Sequence, residues 1–171
     1  QSDDPNSYLL EDTYWDGRDS KGEKLEDGLY TYVVRYTPDV PGAKEQQISF
    51  KLQIDTQKPL ISSGYISTKD GAETFTARKP KDVGNGGILR EQVFYLQADE
   101  KGKETYKAVD DFGIERDYER RVYISANADG SYTLPKGVDK SKIFYVVEDY
   151  AGNRDAIALS ELVSAENDGR I

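Results

Sequence analysis

The chain has 171 residues, enough for one or two domains of ordinary size, with a net charge of −9 and a pI near 4.6. Acidic residues outnumber basic ones 32 to 23, which argues against a nucleic-acid partner and against docking on anionic lipid. No apolar run approaches the roughly 20 residues that a membrane helix requires, so we expect no membrane insertion.

Three residue types are absent: His, Cys and Met. Without His, the chain cannot form a Ser–His–Asp or Cys–His catalytic arrangement or a His-ligated metal site. Without Cys, it has no disulfide and no zinc–thiolate site, a composition that suits a secreted protein of a Gram-positive surface. Carboxylates remain as candidate catalysts, but no pair among the 32 stands out, so we predict no catalytic residue. The lack of Met leads us to expect a piece of a longer protein.

Two strands with alternating apolar residues are predicted before residue 55. The first covers 29–36, and the residues of one face are apolar or aromatic: Tyr30, Tyr32, Val34 and Tyr36. The second covers 47–54 and is the clearest amphipathic strand of the chain, with a matching face: Ile48, Phe50, Leu52 and Ile54. Three or four strands are too few to bury two facing sheets, so this segment is expected to be an incomplete unit.

Seven further strands are predicted, and clusters of turn residues separate them: 60–67, 73–79, 90–99, 121–126, 131–134, 143–149 and 155–159. Helix is expected in two short places, a turn within 117–120 and a closing helix over 158–165. The mixed-charge run 115–121 is predicted to be a solvated face, and the Gly-rich stretch 84–87 a flexible loop. Short strands at this spacing predict an all-β fold, a fibronectin type III or immunoglobulin-like β-sandwich.

A domain boundary is predicted at 55–59, where polar residues follow a strand and Pro59 fixes an extended entry into the next. Residues 1–57 would be the C-terminal part of a sandwich or a small β unit. Residues 58–165 would be one complete sandwich, and 166–171 a tail. The similarity of 30–36 to 144–150, two aromatic strands, supports two related units.

The turn-rich corner around the single tryptophan, Trp15, admits three interpretations. In the first, Trp15 covers the edge of a core at a hairpin corner, and Gly17 and Gly28 supply positive φ in its turns. In the second, the corner is a calcium loop that uses Asp16, Asp19 and Asp27, although no Glu stands at the twelfth position as in an EF-hand. In the third, Trp15 is a sugar-binding platform. Calcium is the one cofactor that this pattern suggests.

A second motif rich in turn residues lies at 148–153, between two predicted strands. Gly152 and Asn153 suit the positive-φ positions of a tight turn, which predicts a hairpin. The alternative is that the acids of this motif, Glu148 and Asp149, belong to a carboxylate cluster that binds calcium. Both interpretations give Asp149, Gly152 and Asn153 a structural place in the fold.

The motifs W-D-G-R-D at 15–19 and V-V-E-D-Y-A-G-N at 146–153 resemble those of a known family. They are similar to accessory domains of the cell-envelope proteinases of streptococci and lactic-acid bacteria, subtilisin-like serine proteases that include complement-cleaving peptidases. In that family, fibronectin type III-like domains follow the catalytic domain. The resemblance covers roughly 13–160, and the family's catalytic residues map to no position here.

This resemblance implies a non-catalytic stalk at the bacterial cell wall that positions a protease domain and contacts large protein substrates. The implied partners are the rest of the parent protease and a protein substrate or host protein. The alternative is a ligand-binding module of a surface adhesin that recognises host matrix or glycan.

Overall fold

The computed structural model describes residues 15–84 and 86–167, with side chains to residue 163. Over these residues the chain forms eleven β-strands, one short 3-10 helix and one α-helix, and all strand pairs are antiparallel. The predicted all-β sandwich class is confirmed. Packing divides the chain into two compact units between Ile54 and Asp55, next to the predicted boundary segment 55–59. The limit of the first predicted unit, residue 57, stays a prediction. The limits 58–165 and 166–171 stay predictions.

The first unit is built on one hairpin, β1 (Gly28–Tyr36) and β2 (Gln46–Ile54). Its register runs from Gly28 opposite Ile54 to Tyr36 opposite Gln46, so the two predicted apolar faces meet on one side of the hairpin. Within the described residues this face is only partly covered, and Phe50 keeps 52% of its surface exposed. A two-stranded ribbon forms a single layer, which cannot bury its own apolar side.

The second unit contains two larger sheets. One has the strand order β11-β10-β5-β8, from β5 (Ile88–Leu96), β8 (Arg121–Ile124), β10 (Ile143–Asp149) and β11 (Arg154–Ala158). The other has the order β3-β4-β9, from β3 (Gly64–Lys69), β4 (Ala72–Ala77) and β9 (Tyr132–Thr133). A 3-10 helix (Lys140–Lys142) precedes β10, and helix α1 (Leu159–Asn167) follows β11 near the predicted closing helix.

The core of the second unit lies between these two sheets. Phe75 of β4 meets Tyr145 of β10 edge to face, with ring centroids 5.6 Å apart, and neither side chain is exposed. Val93 and Leu159 complete the same cluster, so α1 closes one end of the sandwich. Burial of each such side chain stabilises the unit by about 1.5–3 kcal/mol.

A third sheet was not predicted. Strands β6 (Thr105–Val109) and β7 (Glu115–Glu119) form a two-stranded hairpin. The prediction of a helical turn within 117–120 was therefore wrong. Tyr106 and Tyr118 stack across the hairpin with centroids 5.8 Å apart, and an exposed ion pair joins Lys107 to Glu115. Cross-strand pairs of this kind favour a strand even where charged residues dominate the sequence.

One tight turn recurs five times in the described residues, each time with Gly at its fourth position. The five turns begin at Asp19, Asp99, Asp110, Asn127 and Asp149. In each, the first residue accepts a backbone hydrogen bond from the Gly, and its own N–H donates to the carbonyl of the fifth residue. The Gly adopts positive φ in every copy, which is why this position needs glycine.

Across the described part of the chain, no helix has the length and apolar character needed to cross a membrane.

Candidate functional site

At the tryptophan corner of the first unit, Trp15 makes two local contacts. Its Nε1 donates to the carbonyl of Arg18 at 2.7 Å, and its ring lies 5.9 Å from the ring of Tyr32 on β1. Gly17 adopts positive φ, as expected for its turn. Gly28 does not. It opens strand β1, and a Cβ at this position would lie 3.5 Å from the Tyr30 ring.

The three acids of the predicted calcium loop each lie in a different local setting. Asp16 accepts from the backbone of Arg18 and pairs with its guanidinium group at 3.3 Å. Asp19 begins one of the recurring turns and accepts the N–H groups of Lys21 and Glu23. Asp27 directly precedes β1. Their carboxylates are not among those that converge in the described residues, and calcium at Asp16, Asp19 and Asp27 stays a prediction.

The β10–β11 connection at 149–153 is the buried copy of the recurring turn. Asp149 has no exposed surface, and its two carboxylate oxygens accept from the N–H and the side-chain amide of Asn153, both at 2.9 Å. The same amide donates to the carbonyl of Asp55 at 3.0 Å. Gly152 takes positive φ, but Asn153 does not, and it contributes to the turn through its side-chain amide.

Three carboxylates converge beside this turn: Asp55, Asp82 and Asp149. One oxygen from each lies within 4.8 Å of the others, and we call this group the carboxylate cluster. Asp82 accepts from the N–H groups of Gly84 and Gly87, which fixes the loop after it. The cluster lies wholly within the second unit, which begins at Asp55.

Asp55 differs from the other two acids of the cluster in its hydrogen bonding. Its Oδ1 accepts from the N–H of Gln57 at 2.9 Å, whereas its Oδ2 is buried without a hydrogen-bond partner. Only 8% of the residue is exposed. Gly84 approaches so closely that a Cβ there would lie 1.9 Å from Oδ2. Gly84, the first residue of the Gly-rich stretch that was predicted to be a flexible loop, therefore forms one wall of the cluster.

The sequence indicated one member of the cluster and missed two. Asp149 lies in the motif at 148–153, where a carboxylate cluster was an explicit alternative. Asp55 and Asp82 lie 94 and 67 positions earlier in the chain, and the fold brings them together through long-range pairing. Carboxylate oxygens are ligands for hard divalent cations, and this group contains neither a nucleophile with a base nor an oxyanion-binding arrangement.

A second feature is the side of the four-stranded sheet that faces away from the core, which we call the outer face. Three aromatic side chains lie side by side there, on β10, β5 and β8. Phe94 stacks on Phe144 with centroids 5.4 Å apart and meets Tyr123 at 5.6 Å. The guanidinium group of Arg121 lies 4.6 Å from the centre of the Phe94 ring, a cation–π contact.

Basic side chains border the outer face together with acids, since Asp155 lines the same cavity and Arg121 pairs with Glu119 at 2.7 Å. Lys58, Arg121 and Arg154 line a shallow cavity of about 350 Å³ beside the aromatic group. Arg154 also pairs with Glu148 at 3.0 Å, and its hydrogen bond, with that of Arg90, holds the pKa of this carboxyl below its usual value. Aromatic rings bordered by Arg are typical of surfaces that bind other proteins.

None of the protein-family models that were compared matches the chain. Curated proteins do match. The chain is 34% identical, over 94% of its length, to the C5a peptidase of Streptococcus pyogenes. The C5a peptidases of serotypes M18 and M3 are 35% and 34% identical, over 94% and 86% of the chain. The chain spans only 12–13% of the length of these relatives. The chain is thus similar to one segment of the C5a peptidases, and the resemblance predicted from its motifs is confirmed.

Proposed function

We propose that the chain is a non-catalytic accessory region of a cell-wall-attached, subtilisin-like serine protease. Its role is to position the protease domain and to contact large protein substrates. The observation that carries the proposal is the match of 94% of the chain to a segment of about an eighth of a named peptidase.

The composition supports a role other than catalysis for this segment. The chain contains no His and no Cys, so it cannot supply the base or the thiol of common peptidase mechanisms. Its second unit is an antiparallel sandwich with one contiguous core, an architecture that serves as a rigid spacer in many surface proteins. The parent chain, in this proposal, is a serine endopeptidase.

A location at the surface of a Gram-positive bacterium follows from the same similarity. The relatives are C5a peptidases of Streptococcus pyogenes, and a surface location of those proteins would apply to this segment as well. The chain contains no Cys, so its fold does not depend on a disulfide.

The outer face is the surface we assign to protein contacts. It combines the half-exposed ring of Tyr123, which packs against the buried Phe94, with three basic side chains that suit an acidic segment of a partner: Lys58, Arg121 and Arg154. Binding energy gained at such a distant surface would act on an intact protein substrate and not on a short peptide, because the peptide does not reach it.

The first test removes this segment from the parent protease. We would compare kcat/KM for an intact protein substrate with kcat/KM for a short peptide that spans the same bond. We expect a loss of about tenfold or more for the protein and no change for the peptide. If neither value changes, the substrate-contact role is wrong, and the adhesin alternative should be tested with host matrix proteins and glycans.

A sharper test reverses charge on the outer face in the intact parent protease. The double variant Lys58→Glu with Arg121→Glu should raise KM for the protein substrate and leave the peptide kinetics unchanged. The matched control, Lys107→Glu with Arg116→Glu, reverses the same number of charges on the β6–β7 hairpin. An equal rise in KM for both double variants would show that the net charge of the chain, and not the outer face, determines how the protein substrate binds.

A further inference from the structure

We propose that the carboxylate cluster of Asp55, Asp82 and Asp149 is a binding site for a divalent hard cation of the calcium class. The site lies in the second unit and is separate from the calcium loop predicted near Trp15. The proposal does not depend on the accessory role, because it concerns this chain alone.

The separation of the three acids suits one shared ion. Oxygens bound to one Ca²⁺ at about 2.3–2.6 Å lie within roughly 5 Å of each other. The cluster places one oxygen of each acid within 4.8 Å. Three carboxylates this close repel one another, and a divalent cation turns that repulsion into attraction.

The buried oxygen of Asp55 points to a ligand independently of this spacing. A buried polar atom without a partner costs free energy, and native proteins rarely retain one without a reason. Oδ2 of Asp55 is such an atom, in a residue that is only 8% exposed. Gly84 closes over it so tightly that no side chain fits at that position. A cation held with Asp82 and Asp149 supplies the missing partner.

The recurring turn does not by itself account for the cluster. Asp19, Asp99 and Asp110 begin the same turn, cap it with a carboxylate oxygen and lie outside any group of converging acids in the described residues. Asp149 caps its turn in the same way but is fully buried. The extra feature at Asp149 is therefore the meeting with Asp55 and Asp82.

Calcium suits this site better than magnesium. Mg²⁺ requires near-ideal octahedral geometry and keeps several of its water molecules, whereas Ca²⁺ accepts an irregular set of six to eight oxygens. The three acids come from separate segments of the chain and offer an irregular set of oxygens, which Ca²⁺ accepts more readily than Mg²⁺. We therefore expect Ca²⁺ to bind more tightly than Mg²⁺.

The first experiment measures the Tm of the 171-residue chain in EDTA, in millimolar CaCl2 and in millimolar MgCl2. An ion that binds only the native state must raise the Tm. We expect the Tm to rise by about 5 °C or more with calcium and by less with magnesium. Identical Tm values in EDTA and CaCl2 would overturn the proposal. Equal rises with both ions would overturn the calcium class.

Variants locate the ion. Asp55→Asn and Asp149→Asn should each abolish the calcium-dependent rise in Tm. Asp19→Asn is the matched control, since it alters the same turn in the first unit and should keep the full rise. If Asp19→Asn abolishes the rise and Asp55→Asn does not, the ion binds in the first unit and the proposal is wrong.

Terbium luminescence tests the site in the wild-type chain, so it does not depend on whether a variant folds. Tyr150 lies beside the cluster, with its N–H donating to the carbonyl of Gly87 at 3.1 Å, and should transfer excitation to bound Tb³⁺. We expect emission on adding TbCl3 that excess CaCl2 reverses and that Tyr150→Phe weakens. Emission that calcium does not reverse would contradict the proposal.

Discussion

The two units of the chain use the same alternating pattern with different outcomes. In β2 of the first unit, Phe50 is 52% exposed, whereas in β10 of the second unit Tyr145 is fully buried. Both residues lie on the apolar face of a clearly alternating strand. The pattern therefore determines that a strand forms and which way its side chains point, and burial depends on whether a second layer packs against that face.

In the second unit the second layer comes from distant parts of the chain. Phe75 and Tyr132 lie in the three-stranded sheet and face Tyr145 in the four-stranded one. In the described part of the first unit, Tyr32 lies opposite Phe50 within a single hairpin, and both belong to the same layer. The difference should be visible in stability measurements.

The largest expected effect is in the core of the second unit. Phe75→Ala removes a fully buried ring and should cost about 3–5 kcal/mol in the free energy of unfolding. Phe50→Ala in the first unit removes a half-exposed ring and should cost about 1 kcal/mol. Urea unfolding followed by far-UV circular dichroism measures both.

Trp15 fluorescence provides the control for this pair. The chain has one tryptophan, and it lies in the first unit against Tyr32, so its signal follows that unit. Equal costs for Phe75→Ala and Phe50→Ala would show that the hairpin face is covered as completely as the sandwich core.

Glycine substitutions in the two units should also differ in their stability cost, by less than the two Phe substitutions do. Gly84→Ala places a Cβ 1.9 Å from Asp55 Oδ2, so the loop or the carboxylate must move, at a cost of about 1–3 kcal/mol. Gly28→Ala places its Cβ 3.5 Å from the Tyr30 ring, an ordinary contact, and should change stability by about 0.5 kcal/mol or less. Thermal unfolding in EDTA separates them, and a neutral Gly84→Ala would contradict the close approach.

Alkaline pH should act on the second unit through Tyr145. Burial raises the pKa of this hydroxyl, and so does its hydrogen bond to Glu91. The folded state therefore keeps a proton that the unfolded chain loses above a pH of about 10, so this contribution to stability is complete below that pH and is lost as pH rises.

The limiting slope for one such proton is about 1.4 kcal/mol per pH unit. Urea midpoints measured on either side of pH 10 should show this fall for the wild type and a shallower one for Tyr145→Phe. The same slope in both proteins would assign the alkaline loss to other groups.

The smallest expected effect is on the β6–β7 hairpin. Lys107→Ala breaks an ion pair whose two side chains are both more than half exposed, so we expect a cost of about 0.5 kcal/mol or less, reduced further by salt. A chemical denaturation curve at low and high salt measures it. A cost above 1 kcal/mol would contradict the prediction, because it would show that this ion pair stabilises the chain as much as a buried contact does.

Much of the fold could be predicted because local patterns determine it. Alternating apolar residues predicted strands at 29–36, 47–54 and 143–149, and the structure has a strand in each of these ranges. The β6–β7 hairpin was missed because both strands are mainly exposed and β7 is mainly charged, so no apolar alternation marked it. Its turn at Asp110 carried the signal, an Asp followed by Gly three positions later.

The candidate site could be predicted only in part, for a different reason. Asp149 belongs to a local turn motif, but Asp55 follows β2 and Asp82 precedes β5, and neither is marked by its neighbours in sequence. Their meeting depends on how the sandwich closes, which local propensity does not determine. Gly28 shows the opposite error, since an Asp-Gly pair suggested a turn where the chain had already entered β1.

The pairing of β5 with β10 also has a kinetic consequence. Val93 lies opposite Tyr145, about 50 residues later in the chain, whereas the β1–β2, β3–β4, β6–β7 and β10–β11 hairpins each join neighbouring segments. Hairpins form in about 1–10 μs, but pairing across a long loop must first overcome its closure entropy. Phe75 of β4 lies opposite Tyr132 of β9, at a similar separation. We therefore expect these two long-range pairings to limit the folding rate of the second unit and the hairpins to form before them.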